Sequence, residues 1–413
     1  MSGAAPAGAG AAPTRRGPWR DLWRDASPSA VGAGFLAMLV SCAGPLLVYL
    51  QAARAMGVSE EAFSSWVFAI WMAAGLASIG LSLATRAPIL VAWSAPGTVL
   101  LIASGPGLAM AEIVGAYLAV AAALLLIGLT GAFERLVRLV PGAVASGLLA
   151  GILFRFGADA MGGLATAPLT FAVLLGAFVA LSVAAPRHAL LALLALALAL
   201  AALLHDLRPG ALAPEPARLA LTAPAFSAEA LLGLGLPLLV ATLTGQFLPG
   251  VAILRGAGYP APTRAILGWC AAASIPSALL GGVTTSLAAI TMALGTSPEC
   301  HPDPRRRYVA GVASGAFFVL GALLAGSVIG LLTQLPVEIV ALLAGLALLG
   351  AIGRSLGDAL ASPEGAQAGL LTFLVTASGA SLGGVGAAFW GVAAGLAAVG
   401  VQGGVRRAMG GGR

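Results

Sequence analysis

The stretch Trp93-Ser-Ala-Pro-Gly-Thr98 has the residue types that bind an anion through backbone N–H groups. It follows a strand-like apolar run and continues as a helix-like one. Pro96 has no N–H to lose, so it suits the first turn of a helix. The free N–H groups of a helix start carry partial positive charge and favour an anion. We therefore predict half of a small-anion site here, formed by Ser94, Ala95, Gly97 and Thr98.

A second stretch, Gly281-Gly-Val-Thr-Thr-Ser-Leu-Ala-Ala-Ile290, repeats this pattern. Its β-branched residues favour a strand, and a hydroxyl residue precedes its helix-like part. Ser286 is the residue that we expect to cap that helix. The second half of the site is predicted at Thr285, Ser286 and Leu287, with its helix start facing the first one.

Gln246 and Phe247 lie in the middle of another apolar run. A glutamine in hydrocarbon is costly unless it is hydrogen-bonded, so Gln246 is expected to face the protein interior and to contact a ligand or a neighbouring helix. Phe247 either stacks on an aromatic ligand or packs against other side chains. Both residues are candidates for ligand binding.

Ser41 and Gly44 hold the corresponding position in the first apolar run. A serine in a membrane helix often bonds a carbonyl of its own helix, and Gly44-Pro45 is typical of a kink. Because the two runs are equivalent in the repeat described below, we also count Ser41 and Gly44 as candidate binding residues.

The composition defines the elements that must position these residues. The chain has 413 residues, of which 60% are hydrophobic and 9% charged, and its mean hydropathy is +1.01. Soluble domains carry about 25% charged residues, so this is a multi-pass membrane protein. At about 20 residues a span, the length predicts roughly 12 to 14 spans. We place fourteen, at 30–53, 62–83, 88–104, 110–131, 141–157, 168–185, 187–205, 228–254, 263–280, 283–297, 307–333, 336–352, 367–381 and 384–402.

The two sets of seven spans resemble each other. The run Pro141–Gly151 matches Pro336–Gly345 in position and ending. An odd number of spans per repeat puts the halves in opposite orientations, as in secondary transporters. The predicted fold is an all-α multi-pass membrane protein with fourteen transmembrane segments in a 7+7 inverted repeat. Segments 3 and 10 are each a short strand followed by a half-helix.

The arginines predict the orientation in the membrane. All 21 basic residues are arginine, and with a cytoplasmic N-terminus 17 of them lie inside and 4 outside. This asymmetry places both termini in the cytoplasm. Because the arginines lie in short loops between apolar runs, they indicate topology rather than nucleic-acid binding.

Neither a metal site nor a catalytic centre is predicted. Cys42, Cys270 and Cys300 form no CxxC pair. Prolines interrupt the ligand-type residues of 297–307, which we interpret as a cytoplasmic turn. The spans contain no nucleophile–base pair or central charged residue, so we expect no enzyme activity and no cofactor.

Six motifs of the chain resemble the BenE family of bacterial benzoate/proton symporters, in the same order along residues 28–403. They are Trp93–Gly97, Leu148–Gly157, Leu248–Ala252, Ser297–Asp303, Phe373–Gly379 and Ala388–Gly391.

The resemblance implies the uracil-transporter architecture, in which a core domain moves against a gate domain. An aromatic carboxylate would bind between half-helices 3 and 10 and enter with protons by alternating access. The chain then divides into a cytoplasmic tail (1–27), a core domain (28–131 and 228–334), a gate domain (132–205 and 335–403), an extracytoplasmic linker (206–227) and a second cytoplasmic tail (404–413).

Several points stay open at this stage. Gly245 and Phe247 replace a Ser and an Asn that are usual in the family, and Ser41-Cys-Ala-Gly44 replaces a Tyr-x-Ser-Ser-like run. The alternatives are therefore a carrier of the same fold for a nucleobase or another small anion, and a channel. The proton is carried either by the substrate carboxyl or by an acid at a span end. The expected partners are the acid, protons and membrane lipid, with a homodimer among the options.

Overall fold

Helices form most of the chain in the computed structural model, which describes residues 18–185, 189–204, 215–380, 382 and 385–410. The outer parts of both predicted tails and residues 206–214 of the predicted linker lie outside these ranges. In chain order the helices are α1 (Pro18–Asp25), α2 (Pro28–Ala43), α3 (Pro45–Ala55), α4 (Glu60–Thr85), α5 (Ala95–Ser104), α6 (Met110–Thr130), α7 (Phe133–Leu139), α8 (Gly142–Met161), α9 (Gly163–Thr166), α10 (Pro168–Ala184), α11 (Ala189–Leu204), α12 (Ala228–Gly256), α13 (Thr263–Leu279), α14 (Ala289–Thr296), α15 (Tyr308–Leu323), α16 (Ala325–Leu332), α17 (Val337–Leu360), α18 (Ala366–Ser378) and α19 (Ala387–Gly410).

Several of these helices are suited to a bilayer. Among the described residues, 6 helices are long and apolar enough to cross a membrane, or up to 7 if the bent pair Pro304–Leu323 and Ala325–Leu332 is one span. Shorter apolar helices of 10–17 residues lie between them. The protein is therefore a multi-pass membrane protein, while the count of fourteen spans stays a prediction. Helix α19 continues to Gly410, so much of the predicted second tail is helical.

Two short strands, each lying between two apolar helices in the chain, pair with each other. Strand β1 (Val91–Trp93) is antiparallel to β2 (Thr285–Leu287), and Ala92 lies opposite Ser286. The predicted order of strand and then helix is thus present in both stretches. The backbone bonds continue past the strands, from Ser94 N–H to the Thr284 carbonyl (2.9 Å). Backbone away from helices survives at membrane depth only when its polar groups are paired within the protein, and these bonds pair them.

Helix α4 supports β1 from one side. The Ser78 hydroxyl accepts a hydrogen bond from Val91 N–H (2.9 Å), and Ser82 accepts one from Ile89 N–H (3.2 Å). The Trp93 ring also packs edge-on against Phe318 of α15, with 6.2 Å between centroids. Strand β1 therefore contacts both helices.

Small residues let those two helices touch. A Cβ on Gly315 of α15 would lie 2.6 Å from the Gly75 carbonyl oxygen of α4, and a Cβ on Gly75 would lie 2.7 Å from the Gly315 carbonyl oxygen. Backbones that approach this closely are typical of membrane helices packed through small residues.

Helix α1 docks onto the loops before β1 and after α14. Arg86 donates to the Asp21 carboxylate (2.6 Å) and to the Tyr308 hydroxyl (2.6 Å), and that hydroxyl donates to Asp25 (3.1 Å). Asp25 is 7% exposed. Residues 18–25 are therefore a helix that docks onto the rest of the protein.

We expect Gly315→Leu to lower the free energy of unfolding by about 1–3 kcal/mol, because the larger side chain has no space against Gly75. Thermal unfolding of the detergent-solubilised protein measures the change. Gly353→Leu is the control, since a Cβ at Gly353 meets nothing within 4 Å. Equal melting temperatures for the two variants would contradict this packing.

Candidate binding site at the paired strands

The start of α5 is closed by its own side chains. Ser94 is the N-cap, and its Oγ accepts a hydrogen bond from Gly97 N–H (3.2 Å). Thr98 donates its hydroxyl to the Ser94 carbonyl (3.3 Å). Both hydroxyl residues are fully buried, whereas Ala95 is half-buried. Ser94 therefore already accepts the Gly97 N–H group, and the role of Gly97 in anion binding stays a prediction.

Thr242 of α12 completes this arrangement, and the sequence analysis did not select it. Its hydroxyl lies 2.9 Å from the Ser94 hydroxyl, and it is also fully buried. The signal was present, since Thr242 comes one helical turn before Gln246 in the same apolar run. Thr242 links the cap of α5 to α12.

The start of α14 is open. Its N-cap is Ala288, and no described side chain hydrogen-bonds the N–H groups of its first turn. The prediction that Ser286 caps this helix is wrong, because Ser286 lies within β2, opposite Ala92. The first N–H groups of a helix have no partner inside the helix. The first turn of α14 is therefore the better anion-binding start of the two.

Three consecutive hydroxyls lie beside it without partners. Thr284, Thr285 and Ser286 are at most 1% exposed, and no described residue hydrogen-bonds their side-chain oxygens. A buried polar group without a partner costs about 1–3 kcal/mol, so such groups usually bind water or a ligand. Thr284 was missed from the sequence, although it continues the same β-branched run.

The remaining candidate on β2 has an apolar role. Leu287 is fully buried, and its side chain fills the space in front of Gly250, where a Cβ would lie 2.8 Å from Leu287 Cδ1. Leu287 therefore packs β2 against α12.

Helix α12 widens at Gln246. Residues Leu243–Phe247 form a π-helical turn, which is rare and is frequent at functional sites. Gln246 is half-buried, and its amide has no hydrogen-bond partner among the described residues. Phe247 is fully buried within the apolar core. Of the pair, Gln246 has free hydrogen-bonding capacity.

The structure separates Ser41 from Gly44. The Ser41 hydroxyl lies 3.4 Å from that of Thr291 in the first turn of α14, so Ser41 adjoins the open helix start. Gly44 lies at the break between α2 and α3, where a Cβ would collide with Ala347 of α17. Gly44 therefore belongs to a helix contact.

The polar loop after α14 is held by its own backbone. Arg307 donates to the Thr296 carbonyl (2.7 Å), and His301 Nδ1 accepts from Asp303 N–H (3.0 Å). Burial raises the pKa of the Cys300 thiol to about 11. No three metal-ligating side chains come together in the part of the chain that the structure describes.

Comparison with known proteins identifies the family. The family profile described as benzoate membrane transport protein matches residues 24–401. The chain belongs to the benzoate membrane transport (BenE) family. It is 40% identical over 379 residues to the benzoate membrane transport protein of Acinetobacter baylyi, covering 92% of this chain and 96% of that protein. It is 36% identical over 368 residues to the inner membrane protein YdcO of Escherichia coli, covering 89% of this chain and 94% of that protein.

Solved structures share the fold of this BenE-family transporter. The transmembrane domain of the cyanobacterial bicarbonate transporter BicA aligns with a TM-score of 0.59 at 16% identity, over 90% of this chain and 96% of that domain. SLC26A9 aligns with a TM-score of 0.60 at 11% identity, over 90% of this chain and 64% of that protein. At these identities the likeness concerns the fold alone.

We expect Ser94→Ala to destabilise the protein by about 0.5–2 kcal/mol, because α5 loses its cap. Thr242→Ala removes only the partner of Ser94. If the two hydroxyls act through one hydrogen bond, the double variant should lose less free energy of unfolding than the two single variants lose together. We expect a difference of at least about 0.5 kcal/mol. Thermal unfolding of the three variants measures this coupling, and additive changes would contradict the link to α12.

Proposed function

We propose that this BenE-family protein is a secondary active transporter that imports benzoate or a related aromatic carboxylate together with protons. It lies in the bacterial cytoplasmic membrane with both termini inside. Its architecture is the fourteen-span, 7+7 inverted repeat of the uracil-transporter type. A core domain (28–131 and 228–334) carries the substrate past a gate domain (132–205 and 335–403).

The open start of α14 is the observation that carries this proposal. The first-turn N–H groups offer a carboxylate several donors and a positive dipole end. Thr285 and Ser286 precede this start in the chain and have buried hydroxyls without partners in the described protein, and Ser41 reaches the start from α2. The amide of Gln246 is a further donor, and Ala95 N–H is one on α5. An anion is thereby held without a buried cation.

The strand pair supports the inverted repeat. Because β1 and β2 are antiparallel, α5 and α14 leave the pair in opposite directions. This is the arrangement expected when one half of the chain is inverted relative to the other.

Two close contacts join the proposed core and gate domains. Gly44 meets Ala347, and a Cβ on Gly245 would lie 2.8 Å from Leu149 Cδ1 of α8. Both contacts consist of small or aliphatic groups. Across the same boundary, Gln51 and Arg54 donate hydrogen bonds to the Val337 and Leu335 carbonyls (3.4 and 3.1 Å), so a movement that exposes the buried site alternately to each side has few polar contacts to break.

Two observations favour an aromatic acid over other cargoes. A relative that covers 92% of this chain is named for benzoate transport. A nucleobase requires several directional partners, whereas the donors named above converge on one anionic group. Uracil and sulfate remain the competing ligands, and a channel is the competing mechanism.

We expect proteoliposomes containing this protein to accumulate labelled benzoate when the lumen is more alkaline than the outside. Uptake should saturate with benzoate and collapse when a protonophore dissipates the gradient. Uracil and sulfate should neither compete nor raise the melting temperature. Uptake that ignores the gradient would overturn symport, and uptake that never saturates would indicate a channel.

We expect Ser286→Ala to raise the KM for benzoate about tenfold, or ~1.4 kcal/mol, because one donor to the carboxylate is lost. The melting temperature should not fall, since this hydroxyl has no partner in the described protein. Ser277→Ala is the matched control, because Ser277 of α13 is also buried and unpartnered but has its hydroxyl beside Gly282, before β2. Equal KM values for both variants would contradict the role of Ser286.

A further inference from the structure

A cavity of about 260 Å³ lies at the end of α5 opposite its cap. Leu100, Ala103 and Ser104 of α5 form one wall, and Gly151 and Ile152 of α8 face them. The ends of α18 and α19 and the first turns of α12 complete the lining. The cavity therefore lies between the proposed core and gate domains, against the half-helix whose other end is at the strand pair.

Glu229 is the one ionisable side chain among the described residues that line this cavity. It lies in the first turn of α12, directly before the π-helical turn Leu231–Gly235, and Gly233 of that turn also lines the cavity. The rest of the lining is apolar or small apart from Ser104 and Thr376. The Thr376 hydroxyl is buried and has no partner in the described part of the chain.

The charges near Glu229 are acidic rather than basic. Helix α6 packs against the start of α12, and Glu112 lies in its first turn. The Glu112 carboxylate accepts hydrogen bonds from Ala109 N–H (2.9 Å) and from the Ser227 hydroxyl. The described parts of α5, α8, α18 and α19 contribute no charged side chain to the lining. Glu229 itself is exposed, and no described cation lines the cavity beside it.

A carboxylate that enters such a cavity meets a second carboxylate. Two ionised carboxylates repel each other at contact distance, whereas a pair that shares one proton forms a short, charge-assisted O–H···O⁻ bond. The proton comes from the outside solution, and no other bond is made or broken. The substrate is then bound together with one proton, and the two carboxyl groups, that of the substrate and that of Glu229, have a total charge of –1.

We infer that this cavity is an outer holding site for a single-ring aromatic acid, which Glu229 binds through one shared proton. The inference rests on the proposed function. The apolar wall of Leu100, Ala103 and Ile152 accommodates the ring. The volume lies just below the roughly 300 Å³ at which ordinary ligand pockets begin, so it favours one ring over larger acids.

The test is the dependence of the KM for benzoate on external pH, between about pH 5 and pH 8. In the wild type, the KM should rise with pH. Because binding takes up one proton, this rise should approach about tenfold for each pH unit. Glu229→Gln should flatten this profile, because an amide donates N–H to the ionised acid at every pH. Glu229→Asp should retain the slope. Glu60→Gln, an exposed acid in the first turn of α4, is the control and should follow the wild type.

The outcomes separate the two hypotheses. A wild type that fails to take up benzoate overturns the proposed function and this inference with it. A wild type that transports benzoate, with a Glu229→Gln variant that keeps the full pH slope, overturns the role of Glu229 alone. A flat profile in Glu229→Gln with retained slopes in Glu229→Asp and Glu60→Gln supports the shared proton.

Discussion

The pairing of β1 with β2 is the constraint on which the rest of this structure depends. Strand backbone at membrane depth has no water or lipid partner, so its N–H and C=O groups must find each other. The second strand, from the other half of the chain, pairs with β1, and the Ser78 and Ser82 hydroxyls accept hydrogen bonds from Val91 and Ile89 N–H. Helices α4 and α15 then pack through Gly75 and Gly315 around a ribbon that would otherwise be unstable.

The same ribbon bears on the proposed anion site, which has no charged side chain. Each strand ends where a helix begins, so two helix starts lie near the pair. They are not equivalent, because Ser94 and Thr242 satisfy α5 whereas α14 begins at Ala289 without a side-chain cap. The asymmetry concentrates the available donors at one place. A buried arginine at this position would carry a large desolvation cost, which backbone dipoles avoid.

Much of this could be predicted from the sequence, because breaks in apolar runs follow local chemistry. The strand and the helix start after it could be predicted from the apolar run that breaks at Ser-Ala-Pro-Gly, but the cap at Ser94 was not predicted. The cap of α14 could not be predicted, because strand register decides that Ser286 pairs with Ala92 and leaves Ala288 at the helix start. Register is a long-range property with no local signature. For the same reason Gly44 was placed in the site although it contacts Ala347, and Glu229 was not distinguished from other acids at span ends.

The distance along the chain between β1 and β2 has a consequence for biogenesis. Synthesis proceeds from the N-terminus, so β1 is in the membrane long before its partner has left the ribosome. In the complete structure, the hydrogen bonds of this stretch to Ser78 and Ser82 come from only 13 and 7 residues away, so they do not require the second half of the chain. The contact of helix α1 with Tyr308 forms later still, because Asp25 and Tyr308 are 283 residues apart in the chain. Strand β1 and helix α1 therefore reach β2 and Tyr308 only after the second half of the chain has been synthesised, and the two halves must fold as one unit.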